Sequence, residues 1–138
     1  MPGLHHVEIW VADAASARAE WGWLLERLGW RLDATWDGGF SWRADGVSLA
    51  FAESPNVVGD AHDRRRPGLN HLAFHGGSRE EVDAIMAAAP ARGWRPLYAD
   101  RYPHAGGPDH YAGWIESATG FKAEVVASPS ESGTAPER

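Results

Sequence analysis

The sequence predicts an α+β protein made of two tandem βαβββ modules, whose strands form a cupped mixed sheet around a central metal or ligand site. Three observations predict it. First, the chain is written twice: His6-Val7-Glu8-Ile9 and His71-Leu72-Ala73-Phe74 each open a run of strand-forming residues with alternating character. Second, seven residues after each histidine stands a helix-start residue, Asp13 in one half and Ser78 in the other. Third, both halves leave their helix through Gly-Trp-Arg, at Gly29-Trp30-Arg31 and Gly93-Trp94-Arg95, and continue as short strands joined by tight turns.

The elements follow in order. The first helix spans about residues 14–28, with Trp21, Leu24, Leu25 and Leu28 at helical spacing. Strands are expected at 31–36, 40–43 and 47–52, separated by Asp37-Gly38-Gly39 and Asp45-Gly46, both hairpin signals. The second helix spans about 79–89; Ser78 and Glu81 form a capping box, and Pro90 ends or kinks it. Strands follow at 95–98, 111–116 and 121–126, the last pair turning at Thr119-Gly120. Modules therefore cover 1–53 and 69–127, within one domain over 4–127. The polar stretch 54–68 joins them, and residues 128–138, which lack core residues, are expected to be disordered. The segment 99–110 has no counterpart in the first half, and a long loop of this kind is expected to be either functional or floppy.

Composition limits the partners. A chain of 138 residues with net charge −6 is a poor polyanion binder, and its one basic cluster, Arg64-Arg65-Arg66, reads as a solvated turn. Nucleic acid is therefore not expected. No apolar run approaches the ~18 residues of a membrane span, and the N-terminus lacks a signal-peptide pattern, so a cytoplasmic location is expected. The absence of cysteine excludes disulfides, thiolate zinc sites and a cysteine nucleophile. The eight tryptophans serve packing, or form a wall for an apolar ligand.

The repeat also places chemistry. His6 and His71 hold equivalent positions in equivalent strands, and pseudo-twofold packing would bring both imidazoles to one cup. Glu124 lies in an apolar run, Phe121 to Val126, where an unpaired carboxylate is costly and calls for a metal or a cation. Two imidazoles and a carboxylate with open positions suit iron(II), and also accept zinc, nickel, manganese or cobalt. Lys122 shares the face of Glu124 but is expected to reach solvent at the strand end. Glu8, on the face of His6, is a candidate catalytic carboxylate. His104, His110 and Tyr111, in or beside the unmatched loop, are candidates for acid–base work or substrate contact.

These segments resemble the vicinal-oxygen-chelate superfamily, which includes glyoxalase I, extradiol dioxygenases, fosfomycin resistance proteins, methylmalonyl-CoA epimerase and bleomycin resistance proteins. The resemblance rests on residues 4–13, 69–74 and 111–126 and covers residues 4–127. It implies a small-molecule substrate that chelates one divalent metal at His6, His71 and Glu124, a homodimer, and dioxygenase-like or glyoxalase-type lyase or isomerase chemistry. The other reading it carries is a non-catalytic, bleomycin-resistance-type binder of a drug-sized ligand. One departure narrows the chemistry. The fourth ligand of glyoxalase I and the epimerases falls on Ala50 when Gly46 is matched to Gly120; a shift of two gives Ser48, and Glu53 has the wrong strand parity.

Overall fold

The computed structural model describes residues 2–129; most of the expected disordered tail, residues 130–138, lies outside them. The elements are β1 (His6–Trp10), α1 (Ala14–Arg27), β2 (Arg31–Trp36), β3 (Gly39–Ala44), β4 (Val47–Ala52), β5 (Leu72–Gly77), α2 (Arg79–Ala88), β6 (Trp94–Leu97), β7 (Ala112–Ser117) and β8 (Lys122–Ala127). This is the α+β repeat that the sequence predicts: two four-stranded mixed sheets, ordered β1-β4-β3-β2 and β5-β8-β7-β6. In each, the first strand runs parallel to the last, and the remaining pairs are antiparallel. Two compact units, Met1–His62 and Asp63–Arg138, divide within the polar 54–68 stretch. Among the described residues, no helix is long and apolar enough to cross a membrane.

In the first unit, Asp13 caps α1 by accepting from the Ala15 amide at 3.2 Å, and Glu53 accepts from the Ala14 amide at 2.8 Å. The helix lays Ala17, Trp21, Leu24 and Leu25 on one face of its sheet, against Phe40, Leu49 and Phe51. Phe40 and Phe51 stack at 4.9 Å, and Trp21 leans on Phe51 at 5.2 Å. Burying a residue such as Trp21 completely stabilises the unit enough that its loss would cost about 3–5 kcal/mol. The opposite face of this sheet is open: His6, Glu8 and Trp10 point there, while Ile9 points into the core.

In the second unit the expected capping box is present: Glu81 donates its amide to Ser78 Oγ and accepts from the Ser78 amide. Val82 and Ile85 are buried on the inner face of α2. The helix sits so close to the sheet that two strand positions must lack a side chain. A Cβ on Gly76 would lie 2.8 Å from Val82 Cγ2 of α2 and 2.4 Å from Val125 Cγ1 of β8, and one on Gly113 would lie 2.3 Å from Met86 Sδ. Pro90 ends α2, and a short 3-10 turn, Ala89–Arg92, follows before Gly93 in the left-handed region.

One expectation is corrected here. Arg64 is not part of a solvated turn: its Nε donates to Glu116 Oε2 at 2.9 Å, and Arg95 pairs with the other oxygen. Burial pushes Glu116 upward, but these bonds and charges win and hold its carboxyl below the usual range.

Candidate functional site

The second unit gathers its chemistry on the sheet face away from α2. Cross-strand register fixes that face: Ala73, Glu124, Trp114 and Leu97 form one row, and Lys122, Glu116 and Arg95 the next. Glu124 is 6% exposed, so its charge needs compensation. Two histidines supply it. His71 Nε2 lies 3.1 Å from Glu124 Oε1, and His110 Nε2 lies 2.5 Å from Oε2. The side chain of His71 is 32% exposed and reaches this point from the residue before β5.

The protons on these rings can be assigned from the network. Asn70 donates its Nδ2 to the Arg64 carbonyl at 3.1 Å, which turns its Oδ1 toward His71 Nδ1, 2.7 Å away. An amide oxygen only accepts, so His71 Nδ1 carries a proton. A neutral His71 then presents a bare lone pair at Nε2 to a carboxylate oxygen. Such a pair repels unless a proton or a cation lies between them. Either a second ring proton, which makes the contact an ion pair, or a bound cation satisfies it, with the ring oriented by the amide oxygen on its far nitrogen. His110, by contrast, donates Nε2–H to Glu124, and its carbonyl lies 3.2 Å from His104 Nδ1.

The loop 99–110 brings His110 here by folding back on the sheet. Ala105 and Tyr98 pack against Leu97, Ala112 and Trp114. Gly106 lies so close that a Cβ there would be 2.7 Å from His110 Cδ2 and 2.9 Å from Trp114 Cη2. The His110 and Trp114 rings are 6.0 Å apart.

Of the other expected residues, Tyr111 goes elsewhere. It precedes β7 with the parity of Gly113, which faces α2, and its hydroxyl donates to Asp83 Oδ1 at 2.7 Å. Tyr102 donates to the same oxygen. The Asp83 bond keeps Tyr111 above its ordinary pKa; burial, then the same carboxylate, push Tyr102 far above its own. Tyr111 therefore serves the packing of the loop on α2, and Glu124 is on the other face. His104 also holds the loop, edge-on to Tyr111 at 5.7 Å.

Lys122 is the second correction. It is 8% exposed, not solvated, and its Nζ donates to Tyr98 Oη at 2.9 Å. That bond, the largest influence on the hydroxyl, holds Tyr98 below its ordinary pKa. Tyr98 itself adopts a left-handed backbone, φ 57°, unusual for an aromatic residue. Neither Tyr98 nor Asn70 was a site candidate from the sequence. The position beside His71 was the available signal for Asn70; no pattern marked Tyr98.

In the first unit, His6 Nδ1 lies 2.9 Å from His5 Nδ1, and Glu8 Oε2 accepts from Trp10 Nε1 at 2.8 Å. Register pairs Glu8 with Ala50, as it pairs Ala73 with Glu124. Ala50 is thus the counterpart of Glu124, and Glu53 is engaged in capping α1. A row across the open face runs Trp10, Ala52, Gly39, Trp36, with the Trp36 ring lying over Gly39, where a Cβ would be 2.3 Å from it.

Among the described residues, no group of three or more His, Asp or Glu side chains stands in metal-ligating geometry. Two of the three expected ligands, His71 and Glu124, are adjacent, and their donor set fits a divalent cation. A cavity of about 510 Å³ at the start of α2, lined by Ser78, Arg79 and Pro129 among others, contains none of these residues.

Comparison with known proteins agrees with this architecture. A family model described as the Glyoxalase/Bleomycin resistance protein/Dioxygenase superfamily matches residues 5–114. The uncharacterized protein YqjT of Bacillus subtilis (strain 168) is 42% identical over 126 residues, 90% of this chain and 98% of that one. A crystal structure of a candidate glyoxalase from Bacillus halodurans superposes with a TM-score of 0.85 at 42% identity, covering 91% of this chain and 95% of that one. The lactoylglutathione lyase of Agrobacterium tumefaciens shares the fold, with a TM-score of 0.61 at 14% identity over 93% and 95% of the two chains. Its repeated modules, each with one four-stranded mixed sheet, and these matches make the chain a member of the Glyoxalase/Bleomycin resistance protein/Dioxygenase superfamily.

Proposed function

We propose that the chain is a metal-dependent enzyme acting on a small oxygenated substrate, with His71 and Glu124 as ligands of one divalent metal. The sequence repeat names His6 as the third. The observation that carries this reading is the Asn70–His71–Glu124 chain, in which a protonated Nδ1 leaves Nε2 facing a buried carboxylate. Iron(II) suits two imidazoles and a carboxylate; zinc, nickel, manganese and cobalt are the alternatives. When bound, such a metal polarises the substrate oxygens that reach its open positions. Asn70 fixes the His71 ring. His110 holds its Nε2 proton on Glu124 Oε2, which keeps that oxygen engaged and leaves Oε1 for ligation. Dioxygenase-like chemistry and glyoxalase-type lyase or isomerase chemistry both fit a three-ligand site, and Ala50 argues against the four-ligand form. Glu8 is the remaining candidate base, and we take the working form to be a cytoplasmic homodimer.

The row Trp10, Ala52, Gly39, Trp36 favours a second reading, sequestration of a flat apolar molecule without catalysis. Elemental analysis of untagged protein separates the two. The enzyme reading expects stoichiometric metal, lost in His71→Ala and in His6→Ala. Iron with oxygen uptake on catechols indicates a dioxygenase; nickel or zinc without uptake indicates a lyase or isomerase. Absence of metal in the wild type, with ligand binding intact in His71→Ala, would leave the sequestration reading.

A further inference from the structure

We infer that Lys122 and Tyr98 form a binding site for a carboxylate or similar small anion, and that the substrate is an oxygenated organic acid. Three observations carry the inference. Lys122 is nine-tenths buried, and an ammonium has three protons to place. Its hydrogen-bond partner is the Tyr98 hydroxyl, at 2.9 Å. Its cross-strand neighbour Glu116, which would neutralise it, is instead held by Arg64 and Arg95. Among the described residues, no carboxylate pairs with Lys122.

The hydroxyl adds a second donor to the same place. Tyr98 Oη accepts from Lys122, so its own proton is free to be donated outward. The Arg101 guanidinium stands 5.1 Å above the Tyr98 ring and adds positive charge there. An ammonium and a phenol O–H with spare protons, under a positive field, recognise an anion in preference to a neutral group. The left-handed backbone of Tyr98 is what turns its ring from the end of β6 onto this site.

The anion site is also the right distance from the proposed chemistry. Lys122 and Glu124 are alternate residues of one strand, so they share a face, with Cα atoms about 6.5–7 Å apart. Trp114 lies opposite Glu124 and edge-on to Tyr98 at 5.7 Å, which makes an aromatic floor between them. A molecule of four to five carbons, with chelating oxygens at one end and a carboxylate at the other, spans the gap. That last assignment rests on the metal reading above; the anion site itself does not.

The test uses glutarate, and its uncharged diamide glutaramide, titrated calorimetrically into metal-stripped full-length protein, with amide NMR shifts recorded at residues 98 and 122. Glutarate should bind with shifts at both positions, and glutaramide should not. Lys122→Met should weaken glutarate about tenfold or more, and Tyr98→Phe about threefold. Should Lys122→Met fail to fold by circular dichroism, Tyr98→Phe, which removes one oxygen, decides. Zinc titrations of the same proteins run in parallel and should give unchanged affinity in both variants. Glutarate binding that neither variant weakens, equal binding of glutaramide, or no binding to the wild type would overturn the inference. If zinc fails to bind the wild type while Lys122→Met still loses glutarate, the metal reading falls and the anion site stands.

Discussion

The two modules carry their carboxylates on opposite members of the same strand pair. In the second, Glu124 is on the last strand and faces Ala73; in the first, Glu8 is on the opening strand and faces Ala50. The rows are equivalent, yet the environments differ. Glu124 is buried between two imidazoles, whereas Glu8 is exposed and bonded to the Trp10 indole. Repetition supplies equivalent positions, and burial decides which carboxylate must have a cationic or hydrogen-bonding partner. A carboxylate in water needs no partner; a desolvated one is stable only with a cation or strong donors.

The largest break in this comparison should come from removing the ligands. Glu124→Gln should lower metal affinity by about a hundredfold or more, because it deletes the anionic ligand, while Glu8→Gln should change it by less than about threefold. Metal titration of both variants would check this, and similar losses in the two would erase the distinction. Asn70→Ala should fall between them. It leaves both ligands but frees the His71 ring, at a cost of about tenfold in metal affinity, as expected for a partner that orients a ligand.

Packing separates the modules next. Gly113→Ala drives a methyl into Met86 beneath a tightly seated helix and should cost about 1–3 kcal/mol in urea denaturation. Gly39→Ala meets the indole of Trp36, which is about half exposed and can swing away, so its cost should be under about 1 kcal/mol. Its larger effect would be to lift Trp36 from the open face, read as a change in tryptophan emission.

The smallest effect concerns the three tyrosines. Tyr98 is lowered by Lys122, while Tyr102 and Tyr111 are raised by burial and by Asp83. Absorbance at ~295 nm should therefore show one phenol ionising before free tyrosine, near pH ~10, and two resisting until higher pH. Lys122→Met should move only the early phase upward. The linkage has opposite signs. Raised pKa values give Tyr102 and Tyr111 a stabilising contribution that is complete below the free tyrosine pKa and is lost as pH rises above it. The lowered pKa of Tyr98 gives one that is present above the free pKa and lost as pH falls through its own. Two groups against one predict a net fall of stability in that alkaline range.

Much of the fold was legible because it depends on local rules. Asp13, the Ser78–Glu81 box, Gly93 after the second helix and the glycine turns each announce an element boundary, and the two histidines announce the repeat. The site was legible only in part. Glu124 betrayed itself as a charge in an apolar run, and His110 as a histidine in an unmatched loop. Lys122 could not be placed, because its fate depends on Glu116 being taken by Arg64, which comes from 52 residues away. Tyr111 turns toward Asp83 of α2 rather than toward Glu124, because a single step in strand parity sends a side chain to the other face. Tyr98 gave no pattern at all, since its position depends on an uncommon backbone angle.

The most direct measurement is cobalt(II) titration of metal-stripped protein, read by visible absorption, in the wild type and in His71→Ala. The wild type should saturate at a single equivalent per chain with a nitrogen-and-oxygen-ligand spectrum, and His71→Ala should lose that spectrum while Glu8→Gln keeps it. Cobalt binding that survives His71→Ala unchanged, or that disappears with Glu8→Gln alone, would contradict the metal reading.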